Sequence, residues 1–285
     1  MIMDPNFIVK VLLSLIVAAA LAFAVTPLVK RLAQRVGAMD VPKDERGLAI
    51  FFAFLIAVLC FAGIDRELRG ILLGATIIVV LGILDDILTL NALPKFAVQI
   101  VAAVIAVLHG CRIEHFMGFR LATWLSYPVS VIWIVAITNA VNLIDGLDGL
   151  AVGVATISSL TMLVIAMLVS ESGVALLMAA LAGGCIGFMP YNLNPAKIFM
   201  GDTGSTFLGF VLATVSIQGL FKFYTIISFA VPFLMLGLPL FDTCFAILRR
   251  IAKGQSPMAP DRSHVHHRLI DMGFNQKQAV AVLYI

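Results

Sequence analysis

Four polar motifs stand out in a chain that otherwise carries little charge. Asp85 and Asp86 are adjacent, and Lys95 follows a short way on. The stretch Asn139-Ala-Val-Asn-Leu-Ile-Asp-Gly-Leu-Asp-Gly-Leu150 sets Asn142, Asp145 and Asp148 at intervals of three, with a glycine after each aspartate. Tyr191–Ser205 holds Asn192, Asn194 and Lys197 and ends in Gly201-Asp-Thr-Gly-Ser. A basic stretch from Ser256 carries His264, His266, His267 and Arg268.

Each motif has a chemistry and a plainer alternative. Adjacent carboxylates repel, so one stays protonated unless a cation neutralises the pair. Such a pair can bind Mg²⁺ or take a proton from a phosphate or hydroxyl nucleophile, with Lys95 folding back as a phosphate contact; the alternative is a solvated helix end. On a helical turn Asn142, Asp145 and Asp148 would share one face. Carboxamide and carboxylate together suit a hard cation and a nucleobase, and the glycines let backbone amides approach a ligand; the alternative is a polar turn. Asp202 reads as a loop metal ligand, with Asn192, Asn194 and Lys197 near it for sugar or phosphate. Asp-Thr-Gly-Ser also occurs in aspartic proteases, but that fold needs two such loops in a β-rich chain. His-x-His-His could take zinc, yet no cysteine accompanies it. Three imidazoles and two arginines suit a pyrophosphate better, and adhesion to anionic lipid is the plainer use.

The elements that must position these motifs are membrane helices. Of the 285 residues 61% are hydrophobic and 12% charged, and mean hydropathy is +1.08; a soluble domain carries about 25% charge. Apolar runs fall near 7–29, 47–63, 71–84, 94–108, 124–141, 150–169, 174–189, 206–220 and 224–247, and another begins near Ala279. Several are short and must borrow flanking residues. All should be helical, because lipid offers an open backbone no water. The expectation is an all-α polytopic transmembrane helical bundle of about 10–11 spans, forming one integral-membrane domain over 1–285 with its last span cut short. The N-terminus has no signal-peptide features, so the first run stays as a span. Gly183-x-x-x-Gly187 reads as a helix-contact motif used inside the monomer. Cys60, Cys111, Cys185 and Cys244 form no paired motif, and a formal charge of +3 is too small to suggest nucleic acid.

Sidedness follows from lysine and arginine. Thirteen of the nineteen basic residues fall in the connections after odd-numbered spans, which the positive-inside rule makes cytoplasmic, with the N-terminus outside. Asp85-Asp86, Asp145 and Asp148, Asp202 and the histidine stretch all follow odd spans too. Carboxylates have no such bias, so one cytoplasmic site assembled from four loops is the economical reading. A transporter is the rival from another class, but transporters place ionisable groups near the midplane.

Taken in order, these four motifs resemble the polyprenyl-phosphate N-acetylhexosamine-1-phosphate transferase superfamily over essentially the whole chain. The His-x-His-His-Arg-Leu form is similar to the branch that initiates teichoic acid, O-antigen and enterobacterial common antigen. The phospho-N-acetylmuramoyl-pentapeptide translocases of the same superfamily typically show a run of three histidines. The resemblance implies Mg²⁺-dependent transfer of a sugar 1-phosphate from a UDP-N-acetylhexosamine, with UDP-GlcNAc favoured, to undecaprenyl phosphate in the bacterial inner membrane. Mn²⁺ is an alternative cofactor, and membrane lipid and a second copy in a homodimer are further candidate partners.

It also implies roles residue by residue. Asp85 and Asp86 match the catalytic pair, and Asn142 and Asp202 the metal positions. Asp148, Gly146 and Leu147 match the uridine pocket, with Asp145 and Asn192 beside it as nucleotide-sugar residues. Lys95, His264, His266, His267 and Arg268 match the phosphate-binding set. Asp85 could remove the last proton of the lipid phosphate, or an aspartate could act as nucleophile through a covalent phosphosugar intermediate. One departure stands out: the family's basic stretch after Asp40-Val-Pro42 is missing, because Arg46 runs straight into Gly47-Leu-Ala-Ile. A segment left out there and at the C-terminus is the expectation. CDP-alcohol phosphotransferases would need an arginine after Asp148-Gly, and intramembrane prenyltransferases a different aspartate spacing.

Overall fold

The computed structural model describes residues 4–35, 47–116, 119–219 and 265–284, with isolated positions Gly237, Phe241, Cys244 and Phe245. Eight helices come first: α1 Pro5–Arg35, α2 Leu48–Phe61, α3 Arg66–Leu88, α4 Ala92–Leu108, α5 Thr123–Ile144, α6 Leu150–Leu168, α7 Ser172–Asn192 and α8 Gly201–Gly219. Two short ones, α9 Val265–Asp271 and α10 Gln276–Leu283, follow. The expected run 224–247 (the isolated positions aside), residues 36–46, where the family's basic stretch would begin, and His264 lie outside the described residues. Among those residues the departure from an all-α chain is a two-residue antiparallel ladder, β1 His115–Phe116 with β2 Phe119–Arg120.

Some of the short apolar runs borrow their flanks, though the run at 47–63 does not and gives the 14-residue α2. The run at 71–84 grows into the 23-residue α3, started by Asp65, whose Oδ1 accepts the Leu68 N–H at 2.7 Å. It stops at Thr89, a left-handed residue whose N–H returns to the Asp85 carbonyl. Five helices, α1, α3, α5, α6 and α7, are long and apolar enough to cross a membrane, while α2 and α4 are apolar but shorter.

Close helix approach builds the interior. In α7 a Cβ on Gly183 would lie 2.2 Å from the Leu15 carbonyl oxygen, and one on Gly187 2.1 Å from that of Ala19. The small-residue motif therefore seats α1 against α7, within one chain, as expected. α8 is the central helix: it packs on α3 and α5, and also touches α2, α6 and α7. Phe207, Phe210, Val211, Ala213 and Val215 are fully buried along it. That position decides the site, because α8 begins with Asp202.

Candidate active site

Asp202 sits in the first turn of α8, where free N–H groups favour a carboxylate. The end of α3 is brought onto this turn by Gly82, where a Cβ would lie 2.4 Å from the Cα of Thr203. The two adjacent aspartates of α3 then part company, since neighbours on a helix point about 100° apart. Asp86 caps α8: its Oδ1 accepts the Asp202 N–H at 3.2 Å and its Oδ2 accepts the Thr203 hydroxyl at 2.5 Å. Asp85, only 5% exposed, accepts the Leu90 N–H at 2.8 Å through Oδ1 and pairs with Lys95 through Oδ2.

Lys95 bridges two helices. It stands in the first turn of α4, and its Nζ contacts both Asp85 and, at 3.1 Å, Asp202 Oδ2. Asn142, in the last turn of α5, donates to Asp202 Oδ1 at 3.0 Å and to the Ser205 hydroxyl at 2.8 Å. Asp85, Asp86, Lys95, Asn142 and Asp202 thus form one cluster on four helices, as the sequence predicted. Three carboxylates there face one ammonium, so the cluster attracts cations and repels phosphate until a further cation enters.

The Asn139–Leu150 motif does not lie on one helical face. α5 ends at Ile144, and residues 145–149 make a turn closed by Gly149 at φ +84°. Asn142 therefore faces Asp202, while Asp148 turns to a second cluster. Asp148 Oδ2 accepts the Asn194 side chain at 2.9 Å and the Ala196 N–H at 3.0 Å. Asn192, 2% exposed, accepts the Gly149 N–H at 3.2 Å and donates to the Ile198 carbonyl at 3.0 Å. Both ends of its carboxamide thus serve the chain itself, in a place where the sequence suggested a ligand contact. Asn194 also donates to Gln276 on α10 at 2.6 Å, and the Tyr284 hydroxyl donates to the Gly149 carbonyl at 2.6 Å.

Asp145 is the first residue past α5, with its N–H on the Asn142 carbonyl at 3.2 Å. Gly146 is exposed, and Leu147 packs half-buried against the core. Arg268 is exposed on α9 and, among the described residues, joins no ion pair with the acid cluster. His266 and His267 belong to α9, but their side chains lie outside the described set, as does all of His264.

Sequence reasoning missed Thr203 and Ser205 as partners, although both stand within the Asp-Thr-Gly-Ser motif. Their positions one and three after Asp202 put them on the first turn of a helix that the apolar run starts only at 206. Gln276 and Tyr284 left no signal, because nothing in the pattern ties α10 to Gly149.

Residues 68–220, which hold both clusters except for α10, match the family described as Glycosyl transferase family 4. The chain belongs to this family. A "Probable undecaprenyl-phosphate N-acetylglucosaminyl 1-phosphate transferase" of Bacillus subtilis is 42% identical over 97% of this chain and 82% of its own length. The "Decaprenyl-phosphate N-acetylglucosaminephosphotransferase" of Mycolicibacterium smegmatis is 33% identical over 94% of this chain and 77% of its own. A "Phospho-N-acetylmuramoyl-pentapeptide-transferase" of Limosilactobacillus fermentum is 38% identical over 67% and 59%. These relatives bear out the resemblance of the four motifs to the polyprenyl-phosphate N-acetylhexosamine-1-phosphate transferases. The family 4 match contains every residue of the acid–lysine cluster.

Proposed function

We propose that this protein transfers N-acetylglucosamine 1-phosphate from UDP-GlcNAc to undecaprenyl phosphate, giving undecaprenyl-diphosphate-GlcNAc and UMP. An oxygen of the lipid phosphate attacks the β-phosphorus of the nucleotide sugar, the bond from that phosphorus to the bridging oxygen breaks, and UMP leaves with it. The observation that carries this reading is Lys95 bridging Asp85 and Asp202. It joins a buried carboxylate, a cation for phosphate and an acid at a helix start within one polar cluster. The reaction takes place at the cytoplasmic face of a multi-pass protein in the bacterial inner membrane. It is the first membrane step of an envelope polysaccharide such as teichoic acid or the lipopolysaccharide O-antigen.

The donor set suits Mg²⁺. Among the described residues no three His, Cys, Asp or Glu side chains gather to hold a metal unaided. Mg²⁺ in phosphate chemistry commonly takes one or two carboxylates and fills its shell with water and substrate oxygens. Asp202 and the carboxamide oxygen of Asn142 would hold it. When bound it offsets the charge of the pyrophosphate and the lipid phosphate. Asp85, already fixed by the Leu90 N–H, holds or takes the last proton of the lipid phosphate. Lys95 moves from its carboxylate partners onto phosphate oxygens, and the basic residues of 264–268 complete the anion site. The tail of the acceptor needs a lipid-facing path, which explains why a phosphotransferase is built from spanning helices.

The similarity to a pentapeptide transferase supports a second reading, UDP-MurNAc-pentapeptide as donor, but it covers less of both chains. The test is UMP release by the purified full chain with undecaprenyl phosphate, Mg²⁺ and a panel of UDP-sugars. UMP from UDP-GlcNAc, lost with EDTA and restored by Mg²⁺ or Mn²⁺, is expected. UMP from the pentapeptide donor alone selects the second reading, and UMP from none rejects both.

A further inference from the structure

One turn below the acid–lysine cluster lies a polar pair that the reaction as described does not use. Gln99 follows Lys95 by four residues on α4, and Asn139 precedes Asn142 by three on α5. These spacings keep each residue on the face of its cluster neighbour. α4 runs away from the cluster and α5 runs toward it, so both residues sit at the same deeper level. The Asn139 amide donates to the Gln99 side-chain oxygen at 2.6 Å and to the Val135 carbonyl at 2.8 Å. Gln99 is only 4% exposed. Its amide nitrogen and the Asn139 oxygen have no protein partner among the described residues.

A carboxamide this buried is costly unless it is hydrogen-bonded, and the bond between Gln99 and Asn139 ties together the two helices that carry them. α4 packs on α3 and, through fewer contacts, on α5. The hydrogen bond therefore sets the height of Lys95 on α4 relative to Asn142 on α5. We propose that the Gln99–Asn139 pair is the positioning floor of the active site, holding Lys95 and Asn142 in register on Asp202. This inference rests on the transferase reading for its kinetic consequence, though not for its geometric one.

The test uses Gln99→Met, Asn139→Leu and the double variant in the full chain. Each single variant strands one polar partner, whereas the double variant leaves none and so returns to near wild-type stability. A pair that merely holds the fold would regain activity in the double variant. A positioning pair would not, because the register of α4 on α5 is still undefined. The expected result is a fall in kcat of about 10²-fold in all three, the scale of a 1 Å misplacement, with KM for the UDP-sugar within about twofold. A second readout needs no turnover: acylation of Lys95 by an amine reagent, followed by peptide mass spectrometry with exposed Lys197 as internal reference. Lys95 should react several-fold faster in each variant. Wild-type kcat and wild-type Lys95 reactivity in the double variant would overturn the proposal. If the unmodified protein releases no UMP, the transferase reading fails, and Lys95 reactivity alone decides the positioning claim.

Discussion

The two polar clusters share the Asn139–Leu150 motif but spend their polar groups differently. Around Asp202, side chains from α3, α4, α5 and α8 meet one another, and two of the three carboxylates, Asp85 and Asp202, share one lysine. Around Asp148, Asn194 links the side chains of Asp148 and Gln276, but most bonds go to backbone: Asp148 holds the Ala196 N–H, Asn192 holds Gly149 and Ile198, and Tyr284 holds Gly149. The first arrangement leaves charge unbalanced, with Lys95 and Asp202 partly exposed. The second fixes the path of the 145–149 turn and of 192–198. Residues of the same type, a few positions apart, thus divide between a cluster that joins four helices and one that bonds mainly to the loop backbone.

That division can be broken at its first half most severely. Lys95→Met leaves Asp85 and Asp202 without their shared cation, and one of them must then protonate. Turnover should fall by about 10³-fold, the upper range for losing one group that stabilises transition-state charge. The protein should stay folded in detergent, because the Asp86 cap on α8 is untouched, but with a lowered thermal midpoint, because the buried Asp85 loses its cation. A variant that unfolds while keeping its specific activity would reverse the assignment.

Asn192→Leu should do the opposite. It strands the buried Gly149 N–H and Ile198 carbonyl, at about 1–3 kcal/mol for each group, so the melting curve shifts clearly. Turnover per folded molecule should stay within about tenfold, since the residue is spent on the chain itself. A rise in KM for UDP-sugar at unchanged stability would instead make it a ligand contact.

Tyr284→Phe removes one hydrogen bond to Gly149, worth about 1 kcal/mol. Gly153→Ala tests the same contact from the other side, because its Cβ would fall 2.0 Å from the Tyr284 hydroxyl. Both should loosen α10 and expose 145–149 to hydrogen exchange. Unchanged exchange in both would remove α10 from the second cluster.

Much of this was legible in the sequence, for definite reasons. All four motifs read as one site because acids in an apolar chain need a purpose and loop parity puts them at one end; the structure gathers Asp85, Asp86, Lys95, Asn142 and Asp202 and sets Asp148 in a second cluster. The equal spacing of Asn142, Asp145 and Asp148 misled, since it suggested one helical face where Gly149 closes a turn. The pattern holds no sign that Asp86 caps another helix, because that depends on Gly82 letting α3 and α8 touch. The sequence offers Asn192 for sugar or phosphate; its burial and its bonds to Gly149 and Ile198 depend on the fold of 192–198 and leave no mark in the pattern. Gln99 was passed over inside an apolar run, where only its burial and its 2.6 Å bond to Asn139 give it meaning.

The central claim is that the Asp202 cluster moves a phosphoryl-linked sugar rather than a sugar alone. UDP-GlcNAc labelled at the β-phosphorus distinguishes the two directly, when incubated with the purified protein, Mg²⁺ and undecaprenyl phosphate. Label in the lipid extract with unlabelled UMP in the water phase is expected, and neither with Asp202→Asn. Label left in the water phase as UDP, with sugar in the lipid, would contradict it.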